Sequence, residues 1–410
     1  MVKKSTKMLV LFVIALLAIN SVQAQGTWQT KAPMPTSRRA PAGAEESGKI
    51  YVIGGCGGPR TNEEYNPATN SWATKATLPG SRKRGMGAVA GAVNGKVYFI
   101  GGHQGPPPGQ TVNFTDEYNP ATNSWTTKAS MPTASEGAAV GVVNSKIYVI
   151  GGYNGTSFLN TVQEYNPATN SWATKTPMPT ARAFIAGAVV NEKIYVIGGF
   201  NGSFLDIVQE YDPSTDSWST KGSMPTARYW LAADAIDGKI YVVGGYGGAG
   251  YLNINEVYDP AMDTWSTETP MSTTRSHLAA VEYNGKIYAM AGVLPSGNFT
   301  DANEEFSPSV GVGDEQLPVV FSLAQNYPNP FSGSTKISFN LATKSHKSSQ
   351  IKIYNVKGKL MKQFSIVNCQ SSIEWDGTDN NGNKLPTGIY LYRLKSDGLI
   401  SETRKMMLIR

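Results

Sequence analysis

Arginine recurs at a fixed distance ahead of a tyrosine through the middle of the chain. The residue thirteen positions before this tyrosine is an arginine in four segments, namely Arg38, Arg182, Arg228 and Arg275. In the two remaining segments the same position holds Gly85 and Ser135. A guanidinium group offers paired N–H donors that match a carboxylate, so arginines placed around an opening would hold acidic groups of a ligand. A repeated arginine that holds the fold together is the alternative.

Aromatic side chains follow three of these arginines by one or two residues. Together they form the candidate ligand-binding set, which comprises Arg182, Phe184, Arg228, Tyr229, Trp230, Arg275 and His277. Aromatic rings stack on the apolar faces of sugars and on extended peptides, while neighbouring cations orient acidic groups. The pattern therefore predicts a protein or glycan ligand. Ordinary packing between neighbouring structural units is the competing interpretation.

Catalytic chemistry has little support in the sequence. Only His103, His277 and His346 occur, without the H-E-x-x-H or paired-histidine spacing of metal sites and without the G-x-S-x-G motif of hydrolases. We therefore assign no catalytic residue, no metal ligand and no cofactor. If the chain does catalyse a reaction, Glu136 and His277 are the candidates for an acid and base pair.

The elements that would position these residues repeat along the chain. A short apolar run that ends in paired small residues occurs six times at intervals of 46 to 50 residues, as KIYVIGG (49–55, 146–152 and 193–199), KVYFIGG (96–102), KIYVVGG (239–245) and KIYAMAG (286–292). A tyrosine and tryptophan around an Asn-Pro or Asp-Pro turn, and then a Met-Pro-Thr motif or a variant of it, follow most copies. One repeat therefore reads as four strands. It cannot bury its apolar surface alone, so the units must stack.

The two ends of the repeat region complement each other. The sixth unit lacks its tryptophan, whereas Trp28 precedes Met34 near the start of the chain just as the internal tryptophans precede their Met-Pro-Thr motifs. We expect the segment around Trp28 to complete the last unit and close the ring, which leaves no free sheet edge there.

Strand parity places the loops after the Met-Pro-Thr motifs and the loops after the glycine pairs at one end of this ring. Three of the glycine-pair loops carry aromatic residues, namely Tyr153, Phe158, Phe200, Phe204, Tyr246 and Tyr251. These rings add to the candidate ligand-binding set.

These motifs, in register six times over residues 26–309, resemble the kelch repeat. The resemblance implies an all-β, six-bladed kelch β-propeller over residues 25–309, with one rim as the recognition surface. With the export signals described below, we expect a secreted or cell-surface binding module for a protein or carbohydrate. The alternative is an enzyme similar to sialic-acid mutarotase, which is also a six-bladed kelch protein, or another carbohydrate-active propeller.

Residues 1–24 predict a signal peptide, because Lys3, Lys4 and Lys7 precede an apolar run over residues 8–19 and small residues precede Gln25. Twelve apolar residues are too few to span a bilayer, so we expect no transmembrane segment in the mature chain.

Charge divides the mature chain into two parts. Residues 25–317 hold 20 basic and 25 acidic groups, whereas residues 318–410 hold 13 basic and 5 acidic groups. The basic character therefore belongs to the tail, and the body is not expected to bind nucleic acid. Cys56 and Cys369 lie far apart in the sequence, and we predict that they do not pair.

The tail has a pattern of its own after a linker at residues 310–317. Turn signals at roughly ten-residue intervals over residues 318–410 predict a small immunoglobulin-like β-sandwich. The motif NYPNPF at 326–331, with WDG at 375–377 and GIY at 388–390, resembles the type A sorting domain of the bacterial type IX secretion system. The resemblance implies that residues 318–410 bind the outer-membrane secretion machinery. It also implies a protein that is secreted or attached to the outer-membrane surface of a Gram-negative bacterium.

Overall fold

The structure is a computed structural model that describes residues 25–80, 84–105, 109–309, 322–340, 349–366, 372–396, 399–400 and 403–409. The predicted signal peptide and linker, together with Cys369, lie outside these residues. The described part of the chain contains strands and turns, and no helix in it is long and apolar enough to cross a membrane.

Six four-stranded antiparallel sheets, the blades, follow one another between residues 27 and 307. The chain enters through β1 (Thr27–Thr30) and then forms blade 1 from β2 (Ala42–Glu46), β3 (Lys49–Ile53), β4 (Asn62–Asn66) and β5 (Ser71–Thr74). Blade 2 contains β7 (Val89–Val93), β8 (Lys96–Ile100), β11 (Thr115–Asn119) and β12 (Ser124–Thr127). Its loops form a separate small sheet of three short strands, β6 (Arg84–Met86), β9 (His103–Gln104) and β10 (Gln110–Thr111). Blade 3 consists of β13 (Ala139–Val143), β14 (Lys146–Ile150), β15 (Val162–Asn166) and β16 (Ser171–Lys175).

The remaining blades repeat this arrangement. Blade 4 consists of β17 (Ala186–Val190), β18 (Lys193–Ile197), β19 (Val208–Asp212) and β20 (Ser217–Lys221). Blade 5 contains β22 (Ala232–Ile236), β23 (Lys239–Val243), β26 (Asn255–Asp259) and β27 (Thr264–Glu268). Its loops form a separate small sheet of three short strands, β21 (Arg228–Tyr229), β24 (Tyr246–Gly247) and β25 (Gly250–Tyr251). Blade 6 consists of β28 (Ala279–Tyr283), β29 (Lys286–Met290), β30 (Asn303–Ser307) and β1.

The inner strands of successive blades contact one another in a closed cycle, in the order β2, β7, β13, β17, β22, β28 and back to β2. The fold is therefore a six-bladed β-propeller. Its central channel is lined by these inner strands and has a volume of about 460 Å³.

The ring closes at β1, which pairs antiparallel with β30 and places Trp28 opposite Phe306. The Trp28 indole N–H donates to the carbonyl oxygen of Thr269 at 2.8 Å. Trp172 makes the corresponding bond to Ala129 at 2.8 Å between blades 3 and 2. The segment at Trp28 thus occupies the outer-strand position that the internal tryptophans occupy in the other blades, and it holds the first and last parts of the repeat region together.

The glycine pairs meet a steric requirement. In blade 4 the second glycine, Gly199, has φ = 107°. A Cβ atom there would lie 2.2 Å from Cγ2 of Ile185, on the segment that leads into the inner strand. A side chain at this position would therefore need both an unfavourable backbone conformation and a displaced neighbour.

The tail forms a separate two-sheet unit of β31 (Ser322–Leu323), β32 (Thr335–Asn340), β33 (Ser349–Asn355), β34 (Leu360–Ile366), β35 (Ser372–Trp375), β36 (Gly388–Ser396), β37 (Leu399–Ile400) and β38 (Arg404–Leu408). The smaller sheet has the order β31-β32-β35. The larger has the order β34-β33-β36-β37, and β38 also pairs with β36. Both sheets contribute to one core around the fully buried Trp375 and Tyr392. The immunoglobulin-like topology stays a prediction.

Candidate functional site

The repeated arginines lie inside the blades. Arg182, Arg228 and Arg275 are 0% exposed. In blade 5, Nη1 of Arg228 donates to Oε2 of Glu256 at 2.6 Å and Nη2 donates to the carbonyl oxygen of Val242 at 3.0 Å. Burial lowers the pKa of Arg228 and Arg275, and it lowers that of Arg182 to about 10, which leaves the group protonated at neutral pH.

The same bonding recurs in the other blades that have this arginine. Arg182 donates to Gln209 at 2.5 Å and to Val196 at 3.0 Å, and Arg275 donates to Glu304 and Ala289. The arginine part of the predicted binding set is therefore corrected: these guanidinium groups join the second and third strands of their own blade and do not face the rim. The repeat position that looked like a ring of ligand donors is a structural one.

One end of the channel, here called the mouth, is bounded by a closed ring of backbone hydrogen bonds. Each blade contributes one residue whose N–H donates to the carbonyl oxygen of its counterpart in the preceding blade, at 2.6 to 3.3 Å. The six residues, here called the mouth ring, are Ala40, Gly87, Gly137, Phe184, Trp230 and His277. All six have positive φ, between 50° and 65°.

Side-chain size divides the mouth ring into two halves. Blades 1 to 3 contribute Ala or Gly, whereas blades 4 to 6 contribute Phe184, Trp230 and His277. A left-handed conformation costs a non-glycine residue about 1–2 kcal/mol. Three consecutive large side chains held at this cost distinguish the aromatic half of the mouth ring from the half with Ala and Gly.

The aromatic half is a stack. The ring centroids of Phe184 and Trp230 lie 4.5 Å apart, and those of Trp230 and His277 lie 4.2 Å apart, with interplanar angles of 24° and 20°. Phe184 and Trp230 line a cavity of about 110 Å³ whose other wall includes Ala40, Gly87 and Gly137. The mouth is thus an asymmetric pocket with an aromatic wall on one side and small residues on the other.

His277 is neutral in this stack. Burial, and then the charge of Arg39, lower its pKa to about 3. Its Nδ1 lies 2.8 Å from the hydroxyl oxygen of Ser276. The imidazole ring therefore serves as a third planar face, and it does not take up a proton in the neutral range.

A second set of rings continues outward from the stack across the rim. This aromatic arc consists of Tyr153, Phe158, Phe200, Phe204, Tyr229, Tyr246 and Tyr251. Neighbouring centroids lie 5.0 to 6.2 Å apart, and Tyr229 joins the arc to Phe184 at 6.0 Å. Phe204 is 39% exposed, and the other rings of the arc are partly exposed. The structure therefore brings together all four aromatic members of the predicted set and the six loop aromatics.

Two charged features also lie at the mouth, namely the His103–Glu136 pair and Arg39. His103 Nδ1 lies 3.0 Å from Oε2 of the buried Glu136, the residue that precedes Gly137 of the mouth ring. Burial raises the pKa of Glu136, and the attraction of His103 opposes this rise. The acid and base pair expected at Glu136 and His277 is therefore wrong in its second member, because Glu136 is paired with His103.

Arg39 is the mouth residue that sequence reasoning overlooked. Its guanidinium carbon lies 5.3 Å from the ring centroid of Phe299, and its charge acts on His277. The corresponding position in blades 3 to 6 holds Glu136, Ala183, Tyr229 and Ser276, so a search for departures from the repeat would have found it. The repeated arginine of blade 1, Arg38, lies one position earlier and is buried against Glu63.

No group of three or more His, Cys, Asp and Glu side chains within the described ranges is arranged to hold a metal ion.

Family models match both the propeller and the tail. Residues 45–221 match the family model described as KLHDC2/KLHL20/DRC7 Kelch-repeats domain, and residues 228–272 match the Kelch motif. Residues 325–409 match the secretion system C-terminal sorting domain. No curated protein matches the chain. A solved structure titled "Structure of YjhT" superposes with a TM-score of 0.59 at 19% identity, over 66% of this chain and 95% of that chain, which shows the fold alone.

These matches fix the coarse role of each unit. Kelch domains generally bind proteins, and the sorting domain indicates export by the type IX system to the cell surface or beyond it. The chain is a kelch-repeat β-propeller protein that carries a C-terminal secretion sorting domain.

Proposed function

We propose that this protein is an exported binding module and that its propeller holds a protein or carbohydrate ligand against the aromatic arc and the stacked half of the mouth ring. The observation that carries the proposal is the unbroken series of ring contacts from Tyr153 on the rim to His277 at the mouth. Secretion or retention at the outer-membrane surface follows from the sorting domain and forms part of the proposal.

The composition of the arc restricts the kind of ligand. The three loops that carry it, at 153–159, 200–205 and 246–252, contain no charged residue. Recognition there rests on stacking, on apolar contact and on neutral hydrogen bonds from tyrosine hydroxyl and asparagine groups. Flat sugar faces and uncharged, extended peptide segments both meet this description.

The aromatic arc occupies one side of the rim because only some of the blades supply aromatic loops. Blades 3 to 5 supply the arc, whereas the blade 1 loop supplies Cys56 and Arg60 and the blade 2 loop supplies His103. A ligand bound on the arc would therefore reach the mouth at Trp230, and the His103–Glu136 pair would lie at the blade 3 end of the arc, where Glu136 is bridged to Tyr153.

The experiment pairs two screens with matched variants. Purified mature protein is applied to a glycan array and used for affinity capture from an extracellular fraction, and Phe204→Ala combined with Tyr251→Ala is compared with Phe299→Ala. Phe299 is a suitable control because it occupies the equivalent loop position of blade 6 and is 37% exposed, close to the 39% of Phe204. We expect the double variant to lose at least about tenfold in affinity and the control to bind as the parent does. Equal binding by all three proteins would reject the arc as the recognition surface.

A second candidate function rests on the His103–Glu136 pair. A buried carboxyl group whose pKa is raised and which lies 3.0 Å from an imidazole can transfer protons at a sugar ring, as a sialic-acid mutarotase or another carbohydrate-active propeller requires. Proton NMR of sialic-acid anomers measures the interconversion rate with parent protein and with Glu136→Gln. Acceleration by the parent that the variant lacks would support catalysis, and equal rates with and without protein would exclude it for this substrate.

A further inference from the structure

The larger sheet of the sorting domain has an outward face with an unusual composition. Its strands β33, β34, β36 and β38 contain six basic residues and no aspartate or glutamate. Two of the six bond to backbone carbonyl groups, since the Lys362 ammonium donates to the carbonyl oxygen of Asp379 at 2.7 Å and Arg404 donates to that of Leu323 at 3.0 Å. The other four are Lys352, Arg393, Lys395 and Lys405, of which Arg393 donates to the hydroxyl oxygen of Thr403 at 2.7 Å on the sheet surface.

Strand register shows what lies between these cations. Tyr354 pairs with Leu360 on one side and Leu391 on the other, and Leu391 pairs with Lys405, so one row crosses all four strands. A neighbouring row pairs Ile389 with Met407. Alternate residues of the same strands fill the core, so these rows point away from it.

These apolar side chains are open to solvent. Leu360 is 39% exposed, Ile389 41% and Met407 42%. A contiguous exposed apolar patch with a polar border is typical of a surface that binds a protein or a membrane. The smaller sheet is different, because Lys336 there lies opposite Glu374 and the charges balance.

We propose that this face is the surface through which the chain docks on the export machinery, and that the partner is a protein with an acidic surface around an apolar centre. Charge complementarity argues for the acidic border, since four cations face outward with no carboxylate on the same strands. The apolar rows bordered by cations argue for a protein, because protein interfaces combine a closely packed apolar core with a polar rim. The proposal is independent of what the propeller binds.

Export of the full chain tests the proposal in a bacterium that has this secretion system. The test variant is Lys352→Glu with Arg393→Glu. These residues pair across β33 and β36, so the exchange replaces one like-charged pair by another and leaves their mutual repulsion unchanged. The control is Lys357→Glu with Lys384→Glu, which alters net charge equally at exposed turn positions outside the strands of this face.

Immunoblots against the propeller measure the fraction of protein outside the cell or on its surface, and thermal melting of the purified chains confirms folding. We expect export of the test variant to fall at least about tenfold while the control matches the parent. A second variant, Ile389→Ser with Met407→Ser, should fall likewise. Equal export by test and control variants would overturn the proposal. It would also be overturned if the purified chain bound phosphatidylglycerol vesicles and the test variant did not, because the face would then be a lipid-binding one.

Discussion

Replacement of Arg228 by serine separates the structural role of the repeated arginine from a role in ligand binding. The guanidinium group is 0% exposed and lies 2.6 Å from Glu256, which is itself 3% exposed. Without it the Glu256 carboxylate keeps its bond from the Thr226 hydroxyl at 2.7 Å but loses its buried counter-charge. Breaking one side of a buried ion pair costs about 3–5 kcal/mol.

The chain supplies its own compensated version of this change. Blade 3 has Ser135 where blade 5 has Arg228, and Gln163 where blade 5 has Glu256. Ser135 donates to the carbonyl oxygen of Gly151 at 2.8 Å, and Gln163 accepts from the Thr133 N–H at 2.8 Å. Because a neutral amide needs no counter-charge, Arg228→Ser with Glu256→Gln should recover at least half of the stability that Arg228→Ser loses.

Calorimetry of the purified chain measures both changes. At about 2.1 cal/mol/K per residue, a propeller of roughly 285 residues has an unfolding entropy near 600 cal/mol/K, so a loss of 3–5 kcal/mol lowers its melting temperature by about 5–8 °C. The reasoning is refuted if Arg228→Ser melts within about 1 °C of the parent yet loses its ligand, since the arginine would then act at the binding surface.

Three further predictions follow from other parts of the propeller. Gly137→Ala should displace Phe184 and weaken ligand binding, because the new Cβ would lie 2.4 Å from Cδ1 of Phe184. The control is Gly95→Ala, which is also at positive φ but whose Cβ would have no atom within 4 Å. Near-UV circular dichroism measures whether the aromatic stack is retained. Trp28→Ala should cost about 3–5 kcal/mol and expose blade 6 to limited proteolysis before the other blades, and uniform cleavage of all blades would contradict the closure role. Burial in the channel raises the pKa of Asp234 to about 6, and a carboxyl group with a raised pKa favours the folded state while it is protonated. The free energy of unfolding should therefore fall as pH rises from about 4 to 6. Urea titrations should show that this fall is up to about 3 kcal/mol smaller in Asp234→Asn than in the parent protein. The same dependence of unfolding free energy on pH in both proteins would refute the assignment.

The fold could be predicted from the sequence because its signals are local and repeated. Six apolar runs with glycine pairs identified the strands, and repetition made each unit a check on the others. The closed cycle of inner strands and the pairing of Trp28 with Phe306 follow the same logic, since a sixth unit without a tryptophan needs one from elsewhere. The topology of the tail was harder to predict, because the alternating pattern of its short strands does not show which strands pair with one another.

The candidate site could be predicted only in part. Phe184, Trp230 and His277 were found because they depart from the repeat, and they do stack at the mouth. The neighbouring arginines were predicted to lie on the same surface as these rings. On an irregular segment, consecutive side chains do not alternate regularly between two faces, so the sequence does not show which of them points inward. Exposure depends on the backbone turn at the positive-φ residues, which the sequence does not display when the residue is Phe, Trp or His instead of glycine.

Hydroxyl-radical footprinting of the propeller, saturated with the strongest glycan from the array or with the captured protein, tests the central claim most directly. Ligand on the aromatic arc should reduce oxidation of Phe204, Tyr246 and Tyr251 and of Trp230, and should leave Tyr283, on the inner strand of blade 6 next to the β28–β29 turn, unchanged. Protection of Tyr283 with unchanged oxidation of the arc would contradict the account, because the ligand would then bind at the opposite end of the channel.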